Sequence, residues 1–282
     1  MIRVAVAGAA GKMGREVVKA VVRAPDLTLV AAVGRHHGVG EDAGLLAGIG
    51  PIGVKVGSDL RQALSESQAQ VCVDFTLPEA GAENGRTVLD AGVCLVMGTT
   101  GLSAAELAAL DRLARERRVG GVVAPNFALG AILMMHFAAQ AARVFPEVEI
   151  IEAHNPQKRD APSGTARRTA ELIARSRAES SRWAAAASGV NTSEPAPAGN
   201  SPARGLLVEG VPVHSLRLPG VVAHQEVVFG MEGQTLRLIH DSTDRSSFMP
   251  GVLLAIRRAP ELKGLVTMEE LLADVLRSPA AE

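Results

Sequence analysis

Val4-Ala5-Val6-Ala7-Gly8-Ala9-Ala10-Gly11-Lys12-Met13-Gly14-Arg15 begins with four small apolar residues, turns at a glycine and continues into a helical pattern over residues 13–22. A short apolar run that stops at glycine reads as a buried strand. Gly8 permits the tight turn, Gly11 lets a pyrophosphate approach the backbone, and Gly14 lets helix pack closely on strand. A helix start attracts such an anion through its unpaired N–H groups and its dipole. The spacing is Gly-x-x-Gly-x-x-Gly and not the commoner Gly-x-Gly-x-x-Gly, so the strand-turn-helix context carries the reading. It points to a dinucleotide held by Gly8, Ala9, Ala10, Gly11, Lys12 and Met13.

The alternation of strand and helix continues outward from this loop to residue 126. Strands are expected at 27–33, 71–75, 94–97 and from 122, with the strongest helix at 104–117. Val-rich strands without polar alternation, set between helices, predict a parallel sheet covered on both faces. Such a doubly wound sheet binds ligands at the carboxyl ends of its strands. Beyond residue 126 the pattern changes. A long apolar helix (129–145), a strand (147–153) and a helix (163–176) precede strands at 213–217, 222–230 and 234–241, the last two joined by a turn at 230–233. Hairpin spacing of this kind predicts an antiparallel or mixed sheet. Helices at 248–258 and 268–276 close the chain. The fold class is therefore α/β: an N-terminal Rossmann-like doubly wound parallel sheet plus an α+β domain with a mixed sheet. Residues 178–202, rich in Ala, Ser, Gly and Pro and containing Trp183, read as a surface loop or a lid.

The second strand ends in Val33-Gly34-Arg35-His36-His37. An NAD-specific site usually carries Asp or Glu there for the ribose 2′-hydroxyl. Gly34 and Arg35 stand there instead, and a guanidinium suits a 2′-phosphate. NADPH is the expected cofactor, with NADH possible; the other reading of 35–37 is a solvated loop. Gly98-Thr99-Thr100-Gly101 and Ala124-Pro125-Asn126-Phe127 follow strands on the same rim and are expected near the nicotinamide. Taken singly, each is an ordinary turn.

Composition excludes several classes. The 282 residues carry a net charge of −1, are 21% charged and include six Phe, one Trp and no Tyr. Neither a basic excess nor stacking platforms argue for nucleic acid or an anionic membrane. Cys72 and Cys94 sit in apolar strands and are expected to be buried and reduced, as in a reducing compartment. No cleavable leader and no run of about 18 apolar residues is present, so a cytoplasmic location without membrane association is expected. His214, His224 and His240 fall on different late strands, and no ligand spacing demands a metal. Met134-Met135 reads as core.

The most chemical segment is Glu152-Ala153-His154-Asn155-Pro156-Gln157-Lys158-Arg159-Asp160-Ala161-Pro162-Ser163-Gly164-Thr165-Ala166. A strand delivers His154, which can hold or give a proton near neutrality. Lys158 and Arg159 add positive charge. The helix start at Gly164 and Thr165 offers N–H groups and a hydroxyl to a carboxylate. Together they describe a pocket for a small anion beside a proton donor; a capped helix after a solvated loop is the bland alternative.

With these blocks in order, the chain resembles the dihydrodipicolinate reductase family along essentially its whole length. The resemblance rests on the Gly8 loop, Asp74-Phe75-Thr76, Gly98 to Gly101, Ala124 to Phe127, and Glu152-Ala153-His154. It also includes Lys158-Arg159-Asp160-Ala161-Pro162-Ser163-Gly164-Thr165-Ala166, His214-Ser215-Leu216-Arg217, Ala223-His224-Gln225-Glu226 and Ser247-Phe248-Met249-Pro250-Gly251. It implies reduction of a cyclic unsaturated dicarboxylate by NADPH or NADH on the route to diaminopimelate and lysine. By the resemblance, His154 and Lys158 are catalytic, and Asn155, Gly164 and Thr165 bind substrate. By the same resemblance the glycine loop, Gly98, Thr99, Thr100, Ala124, Pro125, Asn126 and Phe127 bind the cofactor; Arg35 joins them only from the reading of the end of the second strand. It further implies a homotetramer built through the late sheet. Residues 1–126 and 245–282 would form the dinucleotide-binding domain, and 127–244 the substrate-binding and tetramerisation domain. Two positions depart from the pattern: Asn155 stands where the family often has a second histidine, and Gly34 where many members have an acid. A related dehydrogenase acting on another small acid, or a non-catalytic dinucleotide sensor, are the alternatives.

Overall fold

The structure is a computed structural model that describes residues 1–179 and 202–277. The stretch expected as a loop or lid, with Trp183, lies almost entirely outside the described residues. The chain divides into two compact units, one of Met1–Ala128 with Arg245–Glu282 and one of Leu129–Asp244.

The first unit begins β1 (Ile2–Ala7), α1 (Lys12–Arg23), β2 (Leu27–Val33), α2 (Ala43–Ala47), β3 (Val56–Gly57) and α3 (Leu60–Ser67). It continues β4 (Val71–Asp74), α4 (Pro78–Asp90), β5 (Cys94–Met97), α5 (Ala104–Arg117) and β6 (Gly120–Val123). The second unit holds α6 (Leu129–Ala141), β7 (Glu147–His154), α7 (Gly164–Glu179), β8 (Leu206–Val208), β9 (Val211–Arg217), β10 (Ala223–Met231) and β11 (Gln234–Ser242). The chain then returns to the first unit with a helix over Met249–Arg258, β12 (Gly264–Val266) and a helix over Met268–Arg277.

The first sheet runs β3-β2-β1-β4-β5-β6-β12, every pair parallel. Its strands lie between helices because they are apolar on both faces. Ala5, Ala7, Cys72, Leu95 and Met97 pack with Leu89, Leu110 and Ala114 from α4 and α5. Val4 and Val6 alternate with them and are equally buried, on the opposite face of the sheet. The order reverses between β1 and β4, and sheets of this kind bind their ligands beyond the carboxyl ends of the strands at such a point. Strands β3 and β12 were not legible in the sequence: two and three residues are too few to show a period.

The second sheet runs β11-β10-β7-β9-β8. The β7–β9 pair is parallel and the other three are antiparallel, so the sheet is mixed. One face packs on α6 and α7 through Met134, Ala138, Ile150, Ala170, Ile173, Val227 and Phe229. Met134 is core, as expected.

Two expectations need correction. The helix expected to reach residue 145 ends at Ala141, where residues 142–144 form a turn that lets Phe145 face Phe229. Cys72 is fully buried, but Cys94, at the start of β5, is only partly so; both are free thiols. Burial pushes both thiols up. Among the described residues no helix is long and apolar enough to cross a membrane.

Candidate active site

In the first unit, Gly8 leaves β1 at φ +80°. The N–H groups of Gly8 and Ala9 donate to the Val33 carbonyl at 2.8 and 3.0 Å. A Cβ on Gly8 would lie 2.8 Å from the Phe75 carbonyl oxygen, and one on Gly14 only 2.0 Å from that of Gly8. Gly14 is thus needed for the approach of α1 to the turn itself. Gly11 caps α1 with extended backbone, no side-chain cap and no acid in the first helical turn. Gly11 and Lys12 are exposed. A helix start without a competing carboxylate fits a pyrophosphate.

After β2, Gly34 is buried and Arg35, His36 and His37 are exposed. A Cβ on Gly34 would lie 3.1 Å from the His37 carbonyl oxygen and 3.2 Å from a Val56 methyl, so an acidic side chain there must displace its neighbours. Sequence reading missed Arg15. Its Nε donates to the Ala10 carbonyl at 2.9 Å, and its Nη2 lies 3.1 Å from His37 Nε2, joining the glycine loop to the loop after β2.

The rim beyond β4, β5 and β6 is tied together by two residues that carried no assigned role, Asp74 and Phe75. Asp74 is fully buried. Its Oδ1 accepts from the Thr76 N–H and hydroxyl, both at 2.7 Å, and from the Thr99 hydroxyl at 2.8 Å. The Thr99 side chain therefore faces Asp74 and leaves its backbone as the group able to meet a ligand. A Cβ on Gly98 would lie 2.1 Å from the Phe75 ring, so the ring rests directly on the glycine. Phe75 also packs on Phe127, ring centroids 5.8 Å apart. Ala124 and Phe127 are buried, Thr100 and Pro125 exposed. The Asn126 side-chain oxygen accepts from the Ala128 N–H at 2.8 Å.

In the second unit β7 delivers His154. Glu152 lies two residues earlier, on the same face of the strand, with no exposed surface. Its Oε2 is 2.5 Å from His154 Nδ1. Its Oε1 accepts from Arg217 Nη2 at 2.9 Å and from the Ser163 N–H at 3.3 Å. Burial pushes this carboxyl up, but hydrogen bonds from His154, Arg217 and Ser215 outweigh it and hold it at about 2. Arg217 stands opposite His154 in the β7–β9 register. Its Nη2 also donates to the Asp160 carbonyl at 2.6 Å and its Nε to the Lys158 carbonyl at 3.3 Å.

The loop between β7 and α7 is shaped by its own side chains. Asn155 Oδ1 accepts from the Gln157 N–H at 3.0 Å, and its carbonyl accepts from the Lys158 N–H at 3.1 Å. Lys158 Nζ pairs with Asp160 Oδ1 at 2.9 Å, and the ammonium holds that carboxyl below the usual range. Ser163 caps α7, its hydroxyl accepting from the Ala166 N–H at 3.2 Å. Gly164 is exposed, and a Cβ there would meet nothing within 4 Å. One carboxylate, Glu152, therefore binds both His154 and the start of α7, bringing the histidine, the lysine loop and the helix start together. A signal for Glu152 was present: an acid inside an apolar strand must be paired. Arg217 carried no comparable signal.

Two of the late histidines pair with other acids. His214 Nε2 lies 2.8 Å from Glu149, and His224 Nδ1 2.7 Å from Asp241. Among the described residues no cluster of three metal-ligating side chains occurs.

The family model for the dihydrodipicolinate reductase N-terminus matches residues 2–127, and that for its C-terminus matches residues 130–272. The 4-hydroxy-tetrahydrodipicolinate reductase of Moorella thermoacetica is 49% identical over 265 residues, 94% of this chain and 95% of that one. The protein of the same name from Syntrophomonas wolfei is 48% identical, covering 96% and 98%. A solved dihydrodipicolinate reductase from Paenisporosarcina sp. TG-14, with dipicolinate bound, matches with a TM-score of 0.80 at 41% identity, covering 96% and 99%. An amine dehydrogenase from Mycobacterium smegmatis, 17% identical with a TM-score of 0.64 over 95% of each chain, shares the fold alone. From these matches over nearly all of its length, the chain belongs to the dihydrodipicolinate reductase family.

Proposed function

We propose that this chain is an enzyme that reduces 4-hydroxy-tetrahydrodipicolinate to tetrahydrodipicolinate with a pyridine nucleotide, on the route to diaminopimelate and lysine. The observation that carries the reading is the loop from His154 to Thr165. It combines a histidine on a buried carboxylate, a lysine and an exposed helix start, in a chain nearly half identical to proteins named for this activity. The dipicolinate bound to the Paenisporosarcina relative is a planar dicarboxylate of the same class.

Loss of the substrate hydroxyl with a proton as water gives a conjugated unit, and a pyridine nucleotide, when bound, would supply the hydride that reduces it. Hydride addition to the resulting C=C–C=N unit leaves negative charge on ring carbon or nitrogen, which an acid must neutralise. Lys158 is that proton donor, and His154 gives or takes the proton through Nε2. Backbone N–H groups of Gly164 and Thr165 hold one carboxylate. Asn155 contributes a neutral hydrogen-bonding contact in place of a charged one, and Lys158 must exchange Asp160 for substrate. The neighbouring cations also stabilise the developing charge.

The first unit is the dinucleotide-binding domain in this reading. Residues 8–13 hold the pyrophosphate, Arg35 the 2′-phosphate of NADPH, and residues 98–100 and 124–127 the nicotinamide end. The second unit binds substrate and builds a cytoplasmic homotetramer. The test is oxidation of NADPH and of NADH with the product of pyruvate and aspartate semialdehyde condensed in situ. NADPH is expected to be preferred, and Arg35→Ala to lower kcat/KM for NADPH about tenfold, the loss of one charge-assisted contact, with NADH little changed. Absence of turnover with either nucleotide overturns the reading. Wild-type turnover in both His154→Ala and Lys158→Ala overturns the assignment of the chemistry.

A further inference from the structure

We propose that Glu152 is a positioning residue: it holds His154 in the tautomer that carries hydrogen on Nδ1, while Arg217 locks Glu152 and the Lys158 loop into one frame. The proposal deepens the reading above and rests on it only for what His154 does with its other nitrogen.

The argument starts from hydrogen-bond inventory. An ionised carboxylate only accepts, so the nitrogen 2.5 Å from Glu152 Oε2 must bear the hydrogen. Glu152 stays ionised although it is wholly buried, because His154, Arg217, Ser163 and Ser215 surround it with donors. With Nδ1 committed as donor, Nε2 carries the lone pair of the neutral ring and is the nitrogen that exchanges a proton with a ligand. A neutral acid at position 152 reverses this, since its O–H can donate to Nδ1 and move the ring hydrogen to Nε2.

Arg217 extends the frame. One guanidinium grips the Glu152 carboxylate, the Asp160 carbonyl and the Lys158 carbonyl. Its planar fork makes these bonds from two nitrogens in fixed geometry, Nη2 to Glu152 and Asp160 and Nε to Lys158. Lys158 is itself bonded to the Asp160 side chain. The two proton-carrying side chains, one on a strand and one on a loop, are therefore referred to a single ion pair. Burial alone does not account for this arrangement: an acid needed only to neutralise Arg217 has no reason to stand two residues before His154 on the same strand face.

The full-length protein, labelled with 15N-histidine, provides the test. Long-range proton–nitrogen spectra report which ring nitrogen of His154 carries hydrogen, with its signal identified by loss in His154→Gln. The wild type is expected to show Nδ1–H; an Nε2–H ring overturns the proposal without any variant and without reference to turnover. In Glu152→Gln, whose amide can donate as well as accept, the unique tautomer is expected to be lost. Its kcat should fall about tenfold or more, with KM for the substrate changing less than about twofold. Glu152→Asp, which keeps the charge at shorter reach, should recover part of kcat. A wild-type tautomer and kcat in Glu152→Gln, or a change confined to KM, also overturns the proposal. If Glu152→Gln does not fold, the wild-type spectrum decides. Because that spectrum is independent of turnover, failure of the proposed activity leaves this question separately answered.

Discussion

Asp74 and Glu152 are the two wholly buried carboxylates among the described residues, and each organises the loop edge around it. Asp74 gathers Thr76 and Thr99; Glu152 gathers His154, Ser163 and Arg217. For Glu152 the consequence is measurable in acid. Burial works to raise this carboxyl, but its hydrogen bonds hold it at about 2 against an ordinary 4.5. A depressed carboxyl contributes stability that is complete above its unfolded value and is lost as pH falls through its folded value. The difference in Tm between wild type and Glu152→Gln is therefore expected to be widest above pH 4.5 and to narrow toward pH 2. Thermal unfolding across that range checks it, and a gap independent of pH would mean that the charge of Glu152 contributes nothing.

At the scale of elements, the glycine loop sets helix propensity against packing. Alanine is the better helix former by about 1 kcal/mol, so Gly14→Ala inside α1 should stabilise if propensity decided. The added Cβ, however, falls 2.0 Å from the Gly8 carbonyl oxygen, a backbone atom that cannot move aside alone. Separating α1 from the turn is expected to cost about 1–3 kcal/mol and to weaken nucleotide binding, because the N–H groups that face the anion move with the helix. Chemical denaturation and nucleotide titration of this variant read both effects. A stabilised variant with unchanged affinity would show that α1 and the turn are less tightly coupled than the geometry requires. The start of α7 is governed in the same local manner by Ser163, whose hydroxyl caps the helix while its N–H holds Glu152.

At the scale of the molecule, the described helices of the second unit, α6 and α7, cover one face of the second sheet. The opposite face presents Leu207, Leu216 and Ile239, each between 44% and 56% exposed, along with the ion pair of Arg237 and Glu226. Apolar side chains on a broad strand surface are stabilised by covering them. A second copy of the chain is the occupant in the proposed tetramer. Light scattering is expected to give four copies for the wild type and fewer for Ile239→Lys, which places an unpaired charge on that face. A monomeric wild type would remove this face from the proposed assembly. The first sheet has helices on both faces.

The sequence by itself determined the fold class, the glycine loop, the order of the principal strands and helices, and the presence of His154, Lys158, Gly164 and Thr165 on one segment. Those features are local: a period of two or 3.6, a glycine between strand and helix, a motif a dozen residues long. Only the tertiary structure decided that Thr99 turns toward Asp74, that Arg15 reaches His37, that Phe75 lies on Gly98, and that Arg217 joins Glu152 to the Lys158 loop. Each of these contacts joins residues more than 20 positions apart, and Glu152 and Arg217 are 65 apart. Strand pairing brings such residues together, and no pattern read along the chain contains the register of β7 against β9.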